Sequence, residues 1–175
     1  MQYTSKMQYT SRPNKQATLC FVLDRENKKI LLGMKKRGFG IGKYNGFGGK
    51  VNSEETFKQA ALREFIEESC LTAKLQDLTK VAELDFYFPY KLEFDQTVHV
   101  YLIKEINGYA KETEEMAFKW FKLTEIPYEN MWDDDKYWLP KIIEGKKLSA
   151  SFVFKDINGE NIVDQKYISE YGITF

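Results

Sequence analysis

The chain reads as an α/β (α+β-like) sandwich, a curled mixed β-sheet between layers of helix. Short alternating apolar segments outnumber helical ones, consecutive segments are joined by turns, and only residues 55–69 and 133–145 have helical character. Its 175 residues, 43% apolar and 30% charged, suit one domain with a real core, expected over residues 16–175. Residues 1–15 open with a duplication, Met1–Ser5 and Met7–Ser11, and are expected to form a disordered arm.

The elements follow in order. Gln16–Asp24 (QATLCFVLD) and Lys29–Lys35 (KILLGMK) are apolar runs separated by a polar turn, hence two strands. Residues 38–49 (GFGIGKYNGFGG) hold six of the eleven glycines and are expected to be a loop built for close backbone approach. Residues 55–69 form the first helix. Strands are expected at 81–88, at 97–103 with Val98, Val100 and Leu102 on one face, and at 117–121. The second helix, 133–145, starts with an acidic turn and ends at Gly145. Asn158–Gly159 between 149–156 and 161–167 signals a β-hairpin.

Composition excludes several functions. Net charge is zero and no long Lys/Arg run occurs, so polymeric nucleic acid is not an expected partner. Two cysteines, Cys20 and Cys70, make neither a disulfide framework nor a zinc site. No apolar stretch is long enough to span a bilayer, and a cytoplasmic monomer without membrane association is expected. The single histidine, His99, excludes His-cluster metal sites and reads as a packed strand residue. Acid–base or metal chemistry must then rest on carboxylates, which favour Mg²⁺ or Mn²⁺.

Glu64, Glu67 and Glu68 share one helix face, because spacings of three and four return to the same side. Like charges so placed destabilise a bare helix by roughly 0.2–0.5 kcal/mol per pair. Two readings are open from spacing alone. The stripe is either a solvated acidic face paired with Lys58 and Arg63, or, since it borders Phe57, Ala61 and Phe65, a partly buried cluster needing a cation.

The surrounding residues separate those readings. Gly49, Glu55, Arg63, Glu64, Glu67 and Glu68, followed by Leu71, stand at the intervals G-x5-E-x7-R-E-U-x-E-E-x-G-U, and the segment resembles the Nudix box. Nudix enzymes cleave a diphosphate linked to another moiety. The resemblance implies that Glu64, Glu67, Glu68 and the Gly48 carbonyl hold Mg²⁺, that Glu115 adds a further acid, and that Arg63 orients the glutamates with Glu55 in the same network. Glu67 or Glu68 is the expected base. Phe65 stands where an aliphatic residue is usual, and Cys70 replaces the second box glycine. A non-glycine residue at that left-handed helix end costs on the order of 1 kcal/mol.

The resemblance extends from Thr18 to about Tyr167. Residues 31–40 (LLGMKKRGFG), 45–51 (NGFGGKV) and 131–140 (MWDDDKYWLP) look like the animal oxidised-purine nucleoside triphosphatases. These hydrolyse 8-oxo-dGTP and 2-hydroxy-dATP to monophosphate and pyrophosphate, cleansing the nucleotide pool. Carried over residue by residue, the likeness implies substrate binding by Thr18, Lys35, Phe39, Asn45, Phe47, Gly48, Gly49, Lys50, Phe86, Phe88, Trp132, Asp133, Asp134 and Asp135. Trp132 offers a π face to a purine, and Asn45 carries both donor and acceptor. Asp134 and Asp135 would share a buried pocket, so that one stays protonated and donates. Without the likeness, Trp132 reads as an ordinary aromatic, Asp133–Asp135 as a helix-start acidic run, and Lys35 and Lys36 as surface charges.

Departures mark the substrate side. Tyr44 replaces a tryptophan, Asp133 a proline, residues 89–96 (PYKLEFDQ) differ, and the first hairpin carries an insertion within 23–30. A Nudix enzyme for another nucleotide or a nucleotide-sugar is the alternative. A binding module without catalysis fits less well, because such modules commonly lose box glutamates and all are present here.

Overall fold

The computed structural model describes residues 11–157 and 159–173. The elements run β1 (Gln16–Asp24), β2 (Lys29–Lys35), β3 (Tyr44–Asn45), α1 (Phe57–Ser69), β4 (Leu78–Tyr87), β5 (Gln96–Ile103), β6 (Met116–Lys122), α2 (Asp135–Ile143), β7 (Lys146–Ile157) and β8 (Glu160–Ile173). One eight-stranded sheet takes the order β3-β2-β1-β5-β4-β7-β8, with β6 also on β2. β1 runs parallel to β5 and β4 to β7, and the other pairs are antiparallel, so the sheet is mixed as expected.

Strand alternation divides β1 between two cores. Phe21 faces Trp138, Leu139 and Ile142 of α2, together with Leu84, Val100 and Phe152. Cys20 and Val22 face Ala61 and Phe65 of α1, together with Tyr101 and Ile103. One helix therefore covers each face. No helix among the described residues is long and apolar enough to cross a membrane.

Both helices start later than the sequence suggests. α1 begins at Phe57 because Thr56 is extended and caps it. The Gln59 N–H donates to the Thr56 hydroxyl, and the Gln59 side chain accepts from the Thr56 N–H. Glu55 thus lies before the helix and is free to meet Arg63. α2 begins at Asp135 rather than 133, with Asp134 at the cap, and ends at Ile143 before Gly145, whose φ is 89°. Pro140 lies inside α2 and forfeits one helical hydrogen bond.

The glycine-rich segment holds a further departure. β1 and β2 keep only three register pairs, Val22–Leu31, Leu23–Ile30 and Asp24–Lys29. Beyond them the strands part, and residues 46–50 insert against β1. The Cys20 N–H donates to the Phe47 carbonyl at 2.6 Å, the Phe47 N–H to the Cys20 carbonyl at 2.9 Å, and the Thr18 N–H to the Gly49 carbonyl at 2.8 Å. β3, inside the expected loop, pairs with β2 through Gly33–Asn45 and Met34–Tyr44. This split opens the cleft described below.

β7 and β8 form the expected hairpin, with Ile157 opposite Glu160 and Gly159 at φ 84°. β8 continues to Ile173, beyond the expected 161–167, and Asn158 lies outside the described residues. Residues 1–10 of the expected arm also lie outside them. Arg12 donates to the Asp85 carboxylate at 3.1 Å and pairs with Glu83.

Candidate active site

The inserted segment meets α1 across a narrow gap. A Cβ on Gly48 would overlap the Thr18 carbonyl, and one on Gly49 would press on the Glu64 carboxylate. Glycine at both positions is therefore steric in origin. The approach lets the Gly48 N–H donate to Glu68 Oε2 at 2.9 Å. Glu68 is buried, and that burial pushes its carboxyl up to about 7, with the Gly48 N–H pulling the other way and Glu64 adding to the rise.

Arg63 ties the acidic groups together. Its Nε and Nη2 donate to both oxygens of Glu55, at 3.0 and 2.6 Å. Nη1 donates to Glu64 at 2.7 Å and more loosely to Glu67 at 3.4 Å, and Nη2 also reaches the Lys50 carbonyl at 3.1 Å. Such a fork fits carboxylates in a way a lysine cannot. The guanidinium holds the Glu55 carboxyl below its ordinary range. Glu67 is exposed, and Glu115 is exposed and paired with Arg37.

These groups suit a hard cation in kind, being carboxylate and carbonyl oxygens with one carboxylate buried at a backbone cradle. Among the described residues no three acidic, histidine or cysteine side chains are already gathered around a common point.

Beside this end lies a cleft of about 310 Å³. Thr18, Lys35, Phe39, Asn45, Gly48, Gly49, Lys50, Glu68, Phe86, Phe88, Trp132, Asp134 and Asp135 all line it. The split between β1 and β2 supplies one side, the starts of β1 and β5 and the end of β4 the floor, and the approach to α2 the other side. Phe39 packs on Trp132 with centroids 4.9 Å apart, and Phe88 stacks on Phe154 at 4.8 Å. Gly40, at φ 84°, brings its backbone against the Trp132 indole.

The cleft's polar groups are partly committed. Asn45 Oδ1 accepts from the Gly46 N–H at 2.8 Å, which leaves the amide NH₂ as a donor. Asp134 accepts from Trp138 Nε1 at 2.7 Å, and Asp135 from the Trp132 N–H at 3.1 Å. Both aspartates are buried, and burial holds both carboxyls above their usual range, with mutual repulsion adding to Asp135. Thr18 Oγ1 is buried without a hydrogen-bond partner among the described residues.

Two residues carried over as substrate-binding lie outside this lining. Phe47 is fully buried against Phe65, centroids 5.6 Å apart, and its backbone pairs with that of Cys20. Asp133 turns away, accepting from the Val163 N–H at 2.8 Å and pairing with Lys136. Conversely, Lys43, Gln96, Val98, Met116, Trp138 and Phe154 line the cleft unannounced by the sequence. Lys43 Nζ sits 5.5 Å from the Trp132 ring centroid. Its place in the glycine-rich segment was the available signal. Gln96 had one too, being two residues before Val98 on the same strand face.

The site's class follows from family comparison. The family model for the NUDIX domain matches residues 13–142, and the chain belongs to the Nudix family, hydrolases of phosphoric anhydrides that generally use a divalent metal. Within it, the chain is 43% identical over 139 residues to the oxidized purine nucleoside triphosphate hydrolase of Mus musculus, covering 79% of this chain and 86% of that one. It is 40% identical over 152 residues to that of Danio rerio, covering 87% and 94%. A solved structure of the MutT protein from Bacillus halodurans shares the fold, with a TM-score of 0.74 at 22% identity over 88% of this chain and 97% of that one.

Proposed function

We propose that this enzyme hydrolyses oxidised purine nucleoside triphosphates, 8-oxo-dGTP and 2-hydroxy-dATP, to the monophosphate and pyrophosphate, as a cytoplasmic monomer cleansing the nucleotide pool. One observation carries the reading. A single cleft joins the Gly48–Glu68 end of the carboxylate helix to a half-buried tryptophan flanked by Asn45, Asp134 and Asp135. The likeness to the mouse and zebrafish hydrolases supports the same substrate class.

The residues divide the work. Trp132 stacks the purine, and base stacking on an aromatic side chain contributes about 1–3 kcal/mol. The Asn45 amide donates to an acceptor on the base edge, its carbonyl being held by Gly46. The aspartate pair, with one carboxyl protonated, offers both donor and acceptor and so accepts either a 6-oxo or a 6-amino group. Lys35 and Lys50 line the route toward α1 and attract the phosphates. Glu68, or its neighbour Glu67, takes the proton from the attacking water, while Arg63 holds Glu55 and Glu64 in register. Glu64, Glu67, Glu68, Glu115 and the Gly48 carbonyl would hold Mg²⁺, for which Mn²⁺ substitutes. When bound, the cation neutralises phosphate charge and acidifies a water.

The test is kcat/KM for 8-oxo-dGTP, 2-hydroxy-dATP, dGTP, dATP and ADP-ribose. The oxidised triphosphates are expected to lead, and hydrolysis should stop on chelation of divalent metal. Equal rates on oxidised and ordinary purines, or faster cleavage of ADP-ribose, would overturn the substrate reading. Turnover without metal would overturn the mechanism.

A further inference from the structure

Gln96 opens β5 on the face that carries Val98 and Val100 toward the α2 core. It stands opposite Phe86 in the β4–β5 register, and both residues line the cleft. The nearby wall, Phe86, Phe88 and Val98, is apolar. Gln96 is half-buried, and its side-chain amide makes no hydrogen bond among the described residues. Its neighbours in the chain are differently placed: Asp95 accepts from the Phe88 N–H, and Thr97 donates to Asp85. A glutamine amide carries two donors and one acceptor. Set in an apolar wall without a protein partner, it is available to a polar group that enters the cleft.

Apart from Thr18 and Lys43, the other polar groups of the cleft have assignable duties. Asn45, Asp134 and Asp135 face one base edge. Lys35, Lys50 and Glu68 belong to the phosphate end. An oxidised purine differs from an ordinary one by an added oxygen, on C8 or on C2. We infer that the Gln96 amide is a specificity-determining group that donates to this added oxygen and so separates oxidised purines from ordinary ones. The inference rests on the substrate class proposed above and deepens it. An ordinary purine would present a C–H there and gain nothing from the amide, whereas a site offering a hydrogen bond discriminates against the analogue that lacks the partner.

The experiment compares wild-type protein with Gln96→Leu and Gln96→Glu on 8-oxo-dGTP, 2-hydroxy-dATP, dGTP and dATP, with kcat and KM resolved separately. Removal of one neutral hydrogen bond corresponds to about a threefold to tenfold loss. Gln96→Leu should show that loss in kcat/KM for at least one oxidised nucleotide, mainly through KM, with dGTP and dATP unchanged. Gln96→Glu, which replaces the donors by an acceptor, should lose as much or more on the same nucleotide. Selectivity ratios unchanged in Gln96→Leu, or an equal loss on all four substrates, would overturn the inference. A wild-type protein without preference for oxidised purines would instead overturn the substrate reading, and the two failures are thereby distinct.

Discussion

The two ends of the cleft are built in opposite ways. At the α1 end the working groups, apart from Lys35 on β2 and Glu115 before β6, lie within one run of chain, Gly48 to Glu68, and a single helix and its capped entry set their spacing. At the base end they come from β1, β3, β4, β5 and the start of α2. A helix face is fixed by its own periodicity, and Arg63 then locks Glu55 and Glu64 through local hydrogen bonds. The base end depends on register, on the split between β1 and β2, and on where α2 starts. With the proposed roles, chemistry is placed locally and selectivity by tertiary assembly, so changes at the two ends should have different kinetic signatures.

The largest expected effect is at the local end. Glu68→Gln removes a buried proton acceptor while keeping the shape, and kcat should fall by about 10²–10⁴-fold. Nucleotide binding, followed by titration calorimetry, should persist. Near-normal turnover would take Glu68 out of its role and leave Glu67 as the base.

Gly48→Ala tests the seam between the two ends. The added methyl would force the inserted segment off β1, where Thr18, Cys20, Phe47 and Gly49 share backbone hydrogen bonds. Overpacking of this kind costs about 1–3 kcal/mol, readable as a lower midpoint in urea unfolding. An unchanged midpoint would mean the segment is not held as tightly as its hydrogen bonds indicate.

The smallest effect lies at the helix end. Cys70 takes the left-handed cap at φ 59°, the place the second box glycine would hold, and its N–H donates to the Ile66 carbonyl. Cys70→Gly should relieve strain worth under about 1 kcal/mol and leave kcat/KM untouched. A change in turnover would show that the helix terminus reaches the catalytic groups.

The same contrast governs how much of the fold and site is legible in the sequence. β1 and β2 appear in the sequence with their observed bounds, because alternation and a polar turn mark them. The carboxylate helix is legible from its spacing, but it starts two residues later than that spacing suggests, because the Thr56–Gln59 capping box sets its first turn. β3 was not legible: a two-residue strand among glycines has no periodicity of its own and exists through its pairing with β2. Phe47 and Asp133 were carried to the cleft with their neighbours, yet adjacent residues in extended chain or at a helix start point in different directions. Phe47 fills the core under α1, and Asp133 reaches β8. Lys43 and Gln96 enter the cleft through the glycine-rich segment and the strand face of Val98, signals that become specific only once the sheet brings those segments together.

On the proposed reading, this enzyme selects oxidised purines at the assembled end and hydrolyses them at the local end. The most direct measurement is the ratio of kcat/KM for 8-oxo-dGTP to that for dGTP, taken in wild type, Arg63→Lys and Trp132→Ala. Arg63→Lys should slow both substrates by about 10–100-fold, as for other supports of metal-binding groups, and keep the ratio. Trp132→Ala removes the stacking face that holds the base in place beside Gln96, so it should raise KM and, by loosening that contact, lower the ratio. A ratio that shifts in Arg63→Lys, or survives in Trp132→Ala, would contradict the division of labour.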